Sequence, residues 1–460
     1  MTTAAAPQRW LASFQPFRQR GFLLVWTAGL ISLAGDWMLR VSLPILVLQL
    51  TGSVTATSGV VMASVLPTLL FGGIAGVFVD RWDRRTVMLV GSLAQALAVL
   101  PLAAVHGPST VWIVYATTFT VAGLEQFVTP AESALLPLLV EPDQLVAANS
   151  LNAVNNNLAR LIGPAIGGIV AAWAGLASVA YVDSGTFVAA VVLLALVRGR
   201  YTARASASPT PTTTNQALVP ARSGVRNALA GVRDEFLAGL AFIRASRVLA
   251  VLLAMFTATA VGEGLMGALF AVYVKDGLHG GVTQVGALMS AQAVGGVAGG
   301  VFGGWIGARF SSVRLVVVGA TIFGALDVVL FVYPLFRPVF WPAMVLLVMI
   351  GVPAVIYGSA AMSLIQAAAT DEFRGRVFAV AGTSMGLANL LGAGLAAALG
   401  DRFGAMVLLI VQGAGYVIAG VVVGLLLRGS RTTDVTAVRT VAATDHLRAE
   451  SPDVVPVGRG

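Results

Sequence analysis

Twelve stretches of this chain are apolar and long enough to cross ~30 Å of hydrocarbon as helices, and no other property limits its fold so strictly. They lie near 21–50, 55–79, 87–106, 110–138, 145–173 and 177–197, then near 248–274, 282–307, 314–335, 341–369, 374–399 and 403–427. Inside a bilayer no water satisfies backbone N–H and C=O groups, so such segments must be helical. The expected class is an all-α membrane protein with twelve transmembrane helices in two pseudo-symmetric six-helix bundles. Composition agrees: 10% of residues are charged, against roughly a quarter in soluble proteins. The first apolar run is too long for a signal-peptide core and is expected to be retained.

A polar stretch separates the halves. Residues 198–223 are rich in Ser, Thr, Pro and Arg and read as a flexible linker. After it, Val225, Leu229, Val232, Phe236, Leu240 and Ile243 recur at spacings of three and four, which predicts an amphipathic helix lying on the membrane surface, a partner-binding helix being the alternative. The expected organisation is a six-helix bundle over 1–198, a cytoplasmic linker with this helix over 199–247, a second bundle over 248–428 and a disordered cytoplasmic tail over 429–460. Shifting the first half by 227 residues lays Gly35-Asp36 on Gly262-Glu263, Gly59 on Gly286, Gly72-Gly73 on Gly299-Gly300 and Gly76 on Gly303, with no gap. Such a register implies two structurally similar halves related as parallel repeats.

Orientation follows from the basic residues. With a cytoplasmic N-terminus, 23 of the 28 Lys and Arg fall in cytoplasmic segments; only Lys275, Arg337 and Arg402 fall outside, while Arg40 and Arg160 lie within spans. Both termini are therefore expected in the cytoplasm. The net charge of +8 sits in loops and ends, where it sets topology, so no nucleic-acid role is assigned. Cys is absent and His occurs three times, which leaves no expected metal site or cofactor. No phosphate-binding loop, phosphorylatable aspartate motif or catalytic dyad is apparent, so the chain is read as a non-enzyme. Arginine outnumbers lysine 27 to 1 in a chain rich in Ala, Val and Gly, a composition suited to a GC-rich bacterial genome and a bacterial plasma membrane.

Ionisable residues inside the membrane are functional candidates by default. Here they are Asp36, Arg40, Glu125, Glu132, Arg160, Asp183, Glu263 and Asp327. Asp36 and Arg40 are four apart, so a local ion pair is one reading. Glu132 and Asp183 lie nearer helix ends, where water or headgroups would meet them. Asp36, Glu125 and Glu263 lie deepest and are the proton-coupling candidates, Glu263 foremost, because no basic residue stands within a turn of it. A further pattern occupies the fifth span. Asn149, Asn152, Asn156, Arg160, Gly163 and Gly167 fall within about a quarter of the helical wheel, and such a stripe must face the bundle or a cavity. Arg40, Gln126, Asn152, Asn156, Arg160 and Asp327 are thus the candidate cavity residues.

Several motifs resemble the major facilitator superfamily of transporters. Gly76-x-x-x-Asp80-Arg81-x-x-Arg84-Arg85 resembles the loop between its helices 2 and 3, except that Asp83 replaces the glycine usual before the Arg pair. The resemblance implies a gating role for these residues, with Asp80 pairing near 371–376 at the start of helix 11. Gly163-Pro164-x-x-Gly167-Gly168 resembles the antiporter motif of its exporters, which implies proton-linked export; a glycine-packed interface without a coupling role is the plainer alternative. Gly35-Asp36, Leu43-Pro44, Pro130-Ala131, Ala148-Asn149-Ser150 and Arg374-Gly375-Arg376-Val377 look like the macrolide-efflux and siderophore-exporter branch. The fourth span departs from many drug/proton antiporters, carrying Glu125-Gln126 and no embedded arginine; Arg160 is the candidate substitute. The resemblance implies a monomeric exporter of small amphipathic molecules driven by protons. A lysophospholipid flippase of the same fold and a non-transporting membrane sensor are the alternatives. Acids outnumber bases within the spans, which favours cationic or neutral substrates.

Overall fold

The computed structural model describes residues 14–79, 82–199, 201 and 225–427, and among these it is helical throughout, with no strand. The first bundle holds α1 (Arg20–Thr51), α2 (Val54–Val79), α3 (Arg84–Val99) and α4 (Val111–Leu135). A long run, Leu145–Ala195, then breaks at Gly175 into α5 (Pro142–Gly175) and α6 (Ala177–Ala195). Gly175 adopts φ 74°, a conformation open to glycine at little cost, and this lets the chain reverse through the bilayer within two residues. Next come α7 (Val225–Ala245) and the second bundle: α8 (Arg247–Val272), α9 (Val282–Gly307), α10 (Ser312–Val332), α11 (Phe340–Ala368), α12 (Asp371–Phe403) and α13 (Ala405–Leu426). All except α7 are long and apolar enough to span a membrane, twelve in all among the described residues. The expected spans and observed helices agree to within a few residues. Asp80, Arg81, the linker over 202–224 and the tail over 429–460 lie outside the described residues.

Helices in lipid gain little from hydrophobic burial against one another, so close backbone approach holds them. A side chain at Gly295 would strike the Val348 carbonyl and one at Gly351 the Gln292 carbonyl, which brings α9 and α11 into direct backbone contact. The internal repeat is visible in the packing too. Gly35 leaves room for Asp183 on α6, and Gly262, its counterpart, leaves room for Gln412 on α13. In each bundle the first helix thus receives the sixth at an equivalent glycine.

The two bundles meet along α2 with α12 and α5 with α9. Thr55 donates to the Ala397 carbonyl at 3.1 Å, Ser290 to Leu161 at 2.8 Å and Thr283 to Gly168 at 3.2 Å. These contacts lie in the half of each helix farther from the start of α1. Pro164 and Gly168 of the antiporter-like motif sit in this seam, the Pro164 carbonyl against Gly286 and Gly168 against Thr283. Gly163 and Gly167 instead face α1, at Ala34 and Met38.

Asp83, the departure from the loop motif, has a structural use. Its carboxylate caps α3 by accepting the Thr86 N–H and hydroxyl, each at 2.9 Å, and accepts the Tyr201 N–H at 2.7 Å. The chain leaving α6 is thereby tied to the start of α3. Partial burial pushes this carboxyl up, but the bonds from Tyr201 and Thr86, with Arg85 nearby, outweigh it and hold Asp83 below its ordinary range. A lowered carboxylate stabilises the fold above its unfolded value and loses that contribution as pH falls through the folded one, so the window here lies below ~3.9. Asp83→Ala is expected to cost about 1 kcal/mol. The loss should appear as a lower melting temperature at neutral pH, and the gap to wild type should narrow in acid.

Arg84 and Arg85 cap carbonyls in the same region. Arg84 Nη1 donates to Ala134 at 3.0 Å, and Arg85 donates to Leu194 at 3.0 Å and to Ala195 at 2.8 Å, which fastens α3 to the ends of α4 and α6. On the other side, α7 docks on the first turns of α12. Phe242 stacks on Phe373 with centroids 4.6 Å apart, Ile243 is buried, and Gly239 lies against the Arg376 backbone.

Candidate functional site

A cavity of about 590 Å³ lies between the bundles. Its wall includes Asp36 and Arg40 from α1, Glu125 from α4, Arg160 from α5, Glu263 from α8 and Asp327 from α10. Six intramembrane candidates from five helices are thus brought to one space. Gln126, Asn152 and Asn156 are not in the wall. Gln126 is one residue, and so about 100° of helical rotation, past Glu125, and its amide turns back to the Ala122 carbonyl at 3.2 Å. The Asn156 amide donates to the Asn152 carbonyl at 3.1 Å, so it spends a donor within its own helix.

The first bundle supplies both arginines of the cavity, together with Asp36 and Glu125. Arg40 pairs with Glu125 across α1 and α4 at 3.2 Å, and does not take the i, i+4 partner Asp36. Arg160 reaches α9 and donates to Gln292 Oε1 at 3.2 Å. Trp37 stands between the arginines, each guanidinium 5.5 Å from its ring centre, a cation–π distance. Asp36 is half-buried next to them.

The second bundle supplies an acidic, aromatic side. Glu263 accepts the Tyr416 hydroxyl at 2.5 Å, and Asp327, 3% exposed, accepts the Gln412 amide at 3.2 Å. Phe323 and Tyr357 pack beside Tyr416, at 4.6 and 6.3 Å between centroids. Asn389 completes this side of the wall. A bipolar, largely apolar space of this size can hold a drug-sized amphipathic molecule and orient its polar groups.

Asp183 corrects a sequence expectation. It meets neither water nor headgroups: it is 0% exposed, packed against Gly35 with Thr186 donating to it at 3.3 Å. The cause is packing and not position along the span: Gly35 carries no side chain, so α1 approaches α6 closely enough to seal Asp183 from water. Sequence reasoning also missed Asn155, which donates to the Trp26 carbonyl at 2.7 Å while Trp26 donates to Leu151 at 2.9 Å, stapling α1 to α5. It missed Trp37, Gln292, Gln412 and Tyr416 as well. Gln412 carried a usable signal, being an amide in the middle of an otherwise apolar span, where an unpaired polar group is costly.

Comparison with known proteins bears directly on this architecture. A family model described as transmembrane secretion effector, within the major facilitator superfamily, matches residues 11–445. The chain belongs to that family. Among its relatives, the multidrug efflux pump Tap of Mycolicibacterium fortuitum is 30% identical over 398 residues, which span 83% of this chain and 90% of Tap. Macrolide efflux protein A of Streptococcus pyogenes is 26% identical over 393 residues, with the same two coverages. An MFS-type transporter of Bacillus subtilis aligns over a shorter stretch, 28% identical over 210 residues and covering 49% of that protein. In fold, the chain is similar to a bacterial homologue of the iron transporter ferroportin in its inward-facing state, with TM-score 0.68 and 18% identity over 88% of this chain and 98% of that one. This secretion-effector chain is therefore a multi-pass membrane protein of the major facilitator type, and its curated relatives are bacterial transporters.

Proposed function

We propose that this family member exports small amphipathic molecules in exchange for protons, by alternating access of the central cavity. The observation that carries the reading is a cavity between two repeat-related bundles in which Glu263 faces the solute space with no basic partner among the described residues, its contact being a neutral tyrosine hydroxyl. Multidrug and macrolide efflux by relatives that align over most of this chain supports the substrate class. The basic residues put the start of α1 in the cytoplasm. The seam along α2–α12 and α5–α9 then lies on the outer side, so we read this conformation as inward-facing. Protons bound at Glu263 from the outside and released to the cytoplasm would bias the two conformations differently, which coupling requires.

Inside-out vesicles provide the test, with a macrolide as probe. Acidifying the lumen should drive accumulation of the macrolide, and a protonophore should abolish it. Accumulation that ignores the pH gradient would sink the proton-coupling part of the proposal.

The polar stripe of α5, of which only Arg160 reaches the cavity wall, makes a separate prediction. In this naturally Cys-free chain, single cysteines at Asn152, Asn156 and Arg160 should react with a polar thiol reagent. Those at Val154 and Leu158, on the apolar side of α5, should be shielded by lipid or packing. Equal labelling of the two sets would mean that the stripe does not border an aqueous space.

A further inference from the structure

Gln412 and Tyr416 are four residues apart on α13 and so stand on one face, a turn from each other. Each holds one carboxylate from a different helix: Gln412 donates to Asp327 on α10 and Tyr416 to Glu263 on α8. Both are nearly sealed, at 6% and 1% exposure. The partners differ in kind from that of Glu125, another cavity carboxylate, which faces Arg40. A guanidinium only donates, so it suits a carboxylate that stays ionised. A phenol and a primary amide each carry a donor and an acceptor. They can serve a carboxylate that must exist in both protonation states, donating to the ionised form and accepting from the acid.

One loose atom fits this reading. Gln412 Oε1 is buried and has no hydrogen-bond partner among the described residues, an arrangement that ordinarily costs stability. While Asp327 is ionised that oxygen has nothing to accept. Once Asp327 takes a proton, its new O–H lies beside an amide that turns over to receive it. The charged and titratable groups around the pair are Tyr357 on α11 and, on the opposite wall, Asp36 and Arg40 on α1, Glu125 on α4 and Arg160 on α5. Both basic groups are engaged away from the second bundle's acids: Arg40 by Glu125 and Arg160 by Gln292.

We infer that Asp327 is a second proton-carrying carboxylate beside Glu263, and that Gln412 and Tyr416 are positioning residues whose hydrogen bonds reverse as the two acids load and unload. The site carries two negative charges when empty and none when both protons are on. This rests on the proton-coupled reading above and deepens it from one carrier to two.

Infrared difference spectra of the full-length protein in detergent, recorded across a pH titration with protons as the only ligand, read the carboxylic-acid C=O band directly. Two titrating components are expected, one lost in Glu263→Gln and the other in Asp327→Asn. Tyr416→Phe removes a donor that favours the ionised form and should tighten proton binding at the Glu263 component about tenfold, one pH unit, while leaving the Asp327 component in place. Gln412→Leu should do the reverse and gives an independent reading should Tyr416→Phe not fold. A spectrum unchanged by Asp327→Asn overturns the second carrier. Shifts of both components, or of neither, in each positioning variant overturn the roles given to Gln412 and Tyr416. Two components in a protein whose vesicles show no proton-driven transport would leave this site standing and refute the exchange reading; proton-driven transport with a single component would do the opposite.

Discussion

Glu263→Gln is expected to abolish uphill export while leaving substrate binding measurable. The substitution keeps size and hydrogen-bonding capacity, so Tyr416 retains a carbonyl to donate to, and what disappears is the ability to gain and lose a proton. A transporter in that condition can still alternate with substrate bound, but a pH gradient no longer favours one direction, since a ligand without differential binding shifts no equilibrium. Concentrative uptake in inside-out vesicles should fall to the level of protein-free membranes, with counterflow of labelled for unlabelled substrate retained. Asp36→Asn should behave differently. Asp36 stands beside the Trp37, Arg40 and Arg160 group, so its loss is expected to weaken binding or folding as well as drive. Glu263→Gln protein that still concentrates substrate with normal pH dependence would end this assignment, and Asp327, whose partner is the neutral Gln412 amide, would be the next residue to change.

The other large effect should come from a residue without chemistry. Gly286 on α9 lies so close to the Pro164 carbonyl on α5 that any added carbon would collide with backbone. The clash exists only while the bundles are closed at this end, so Gly286→Val penalises one conformation and spares the other. Overpacking of this sort costs about 1–3 kcal/mol, which is roughly a five- to 150-fold change in the ratio of the two states. Spin labels at His106→Cys and Arg337→Cys, on turns at the sealed end of either bundle, should report a longer distance in the Gly286→Val background. An unchanged distance distribution in a normally folded protein would show that the seam is not the closed gate. The same pair of labels also checks which end opens, because the opposite shift would place the present conformation on the other side of the cycle.

How far each feature was legible in the sequence follows from what a bilayer demands. Spans could be read directly because a helix crossing hydrocarbon must be apolar along its whole length, and the break between α5 and α6 showed as a gap between apolar runs. The repeat was legible because equal glycines recur 227 residues apart, and the tertiary structure gives them the same task, Gly35 admitting α6 and Gly262 admitting α13. Rotation about the helix axes was not legible. Helices such as α8 and α9 are apolar almost all the way round, so hydropathy does not say which face looks inward. Only the packed bundle therefore decided that Arg40 turns from Asp36 to Glu125, that Asp183 is sealed against Gly35, and that Gln126 misses the cavity its neighbour lines. The pairing of Glu263 with Tyr416 joins residues 153 positions apart. No spacing rule reaches that far, since such a contact depends on how two complete helices are seated against each other.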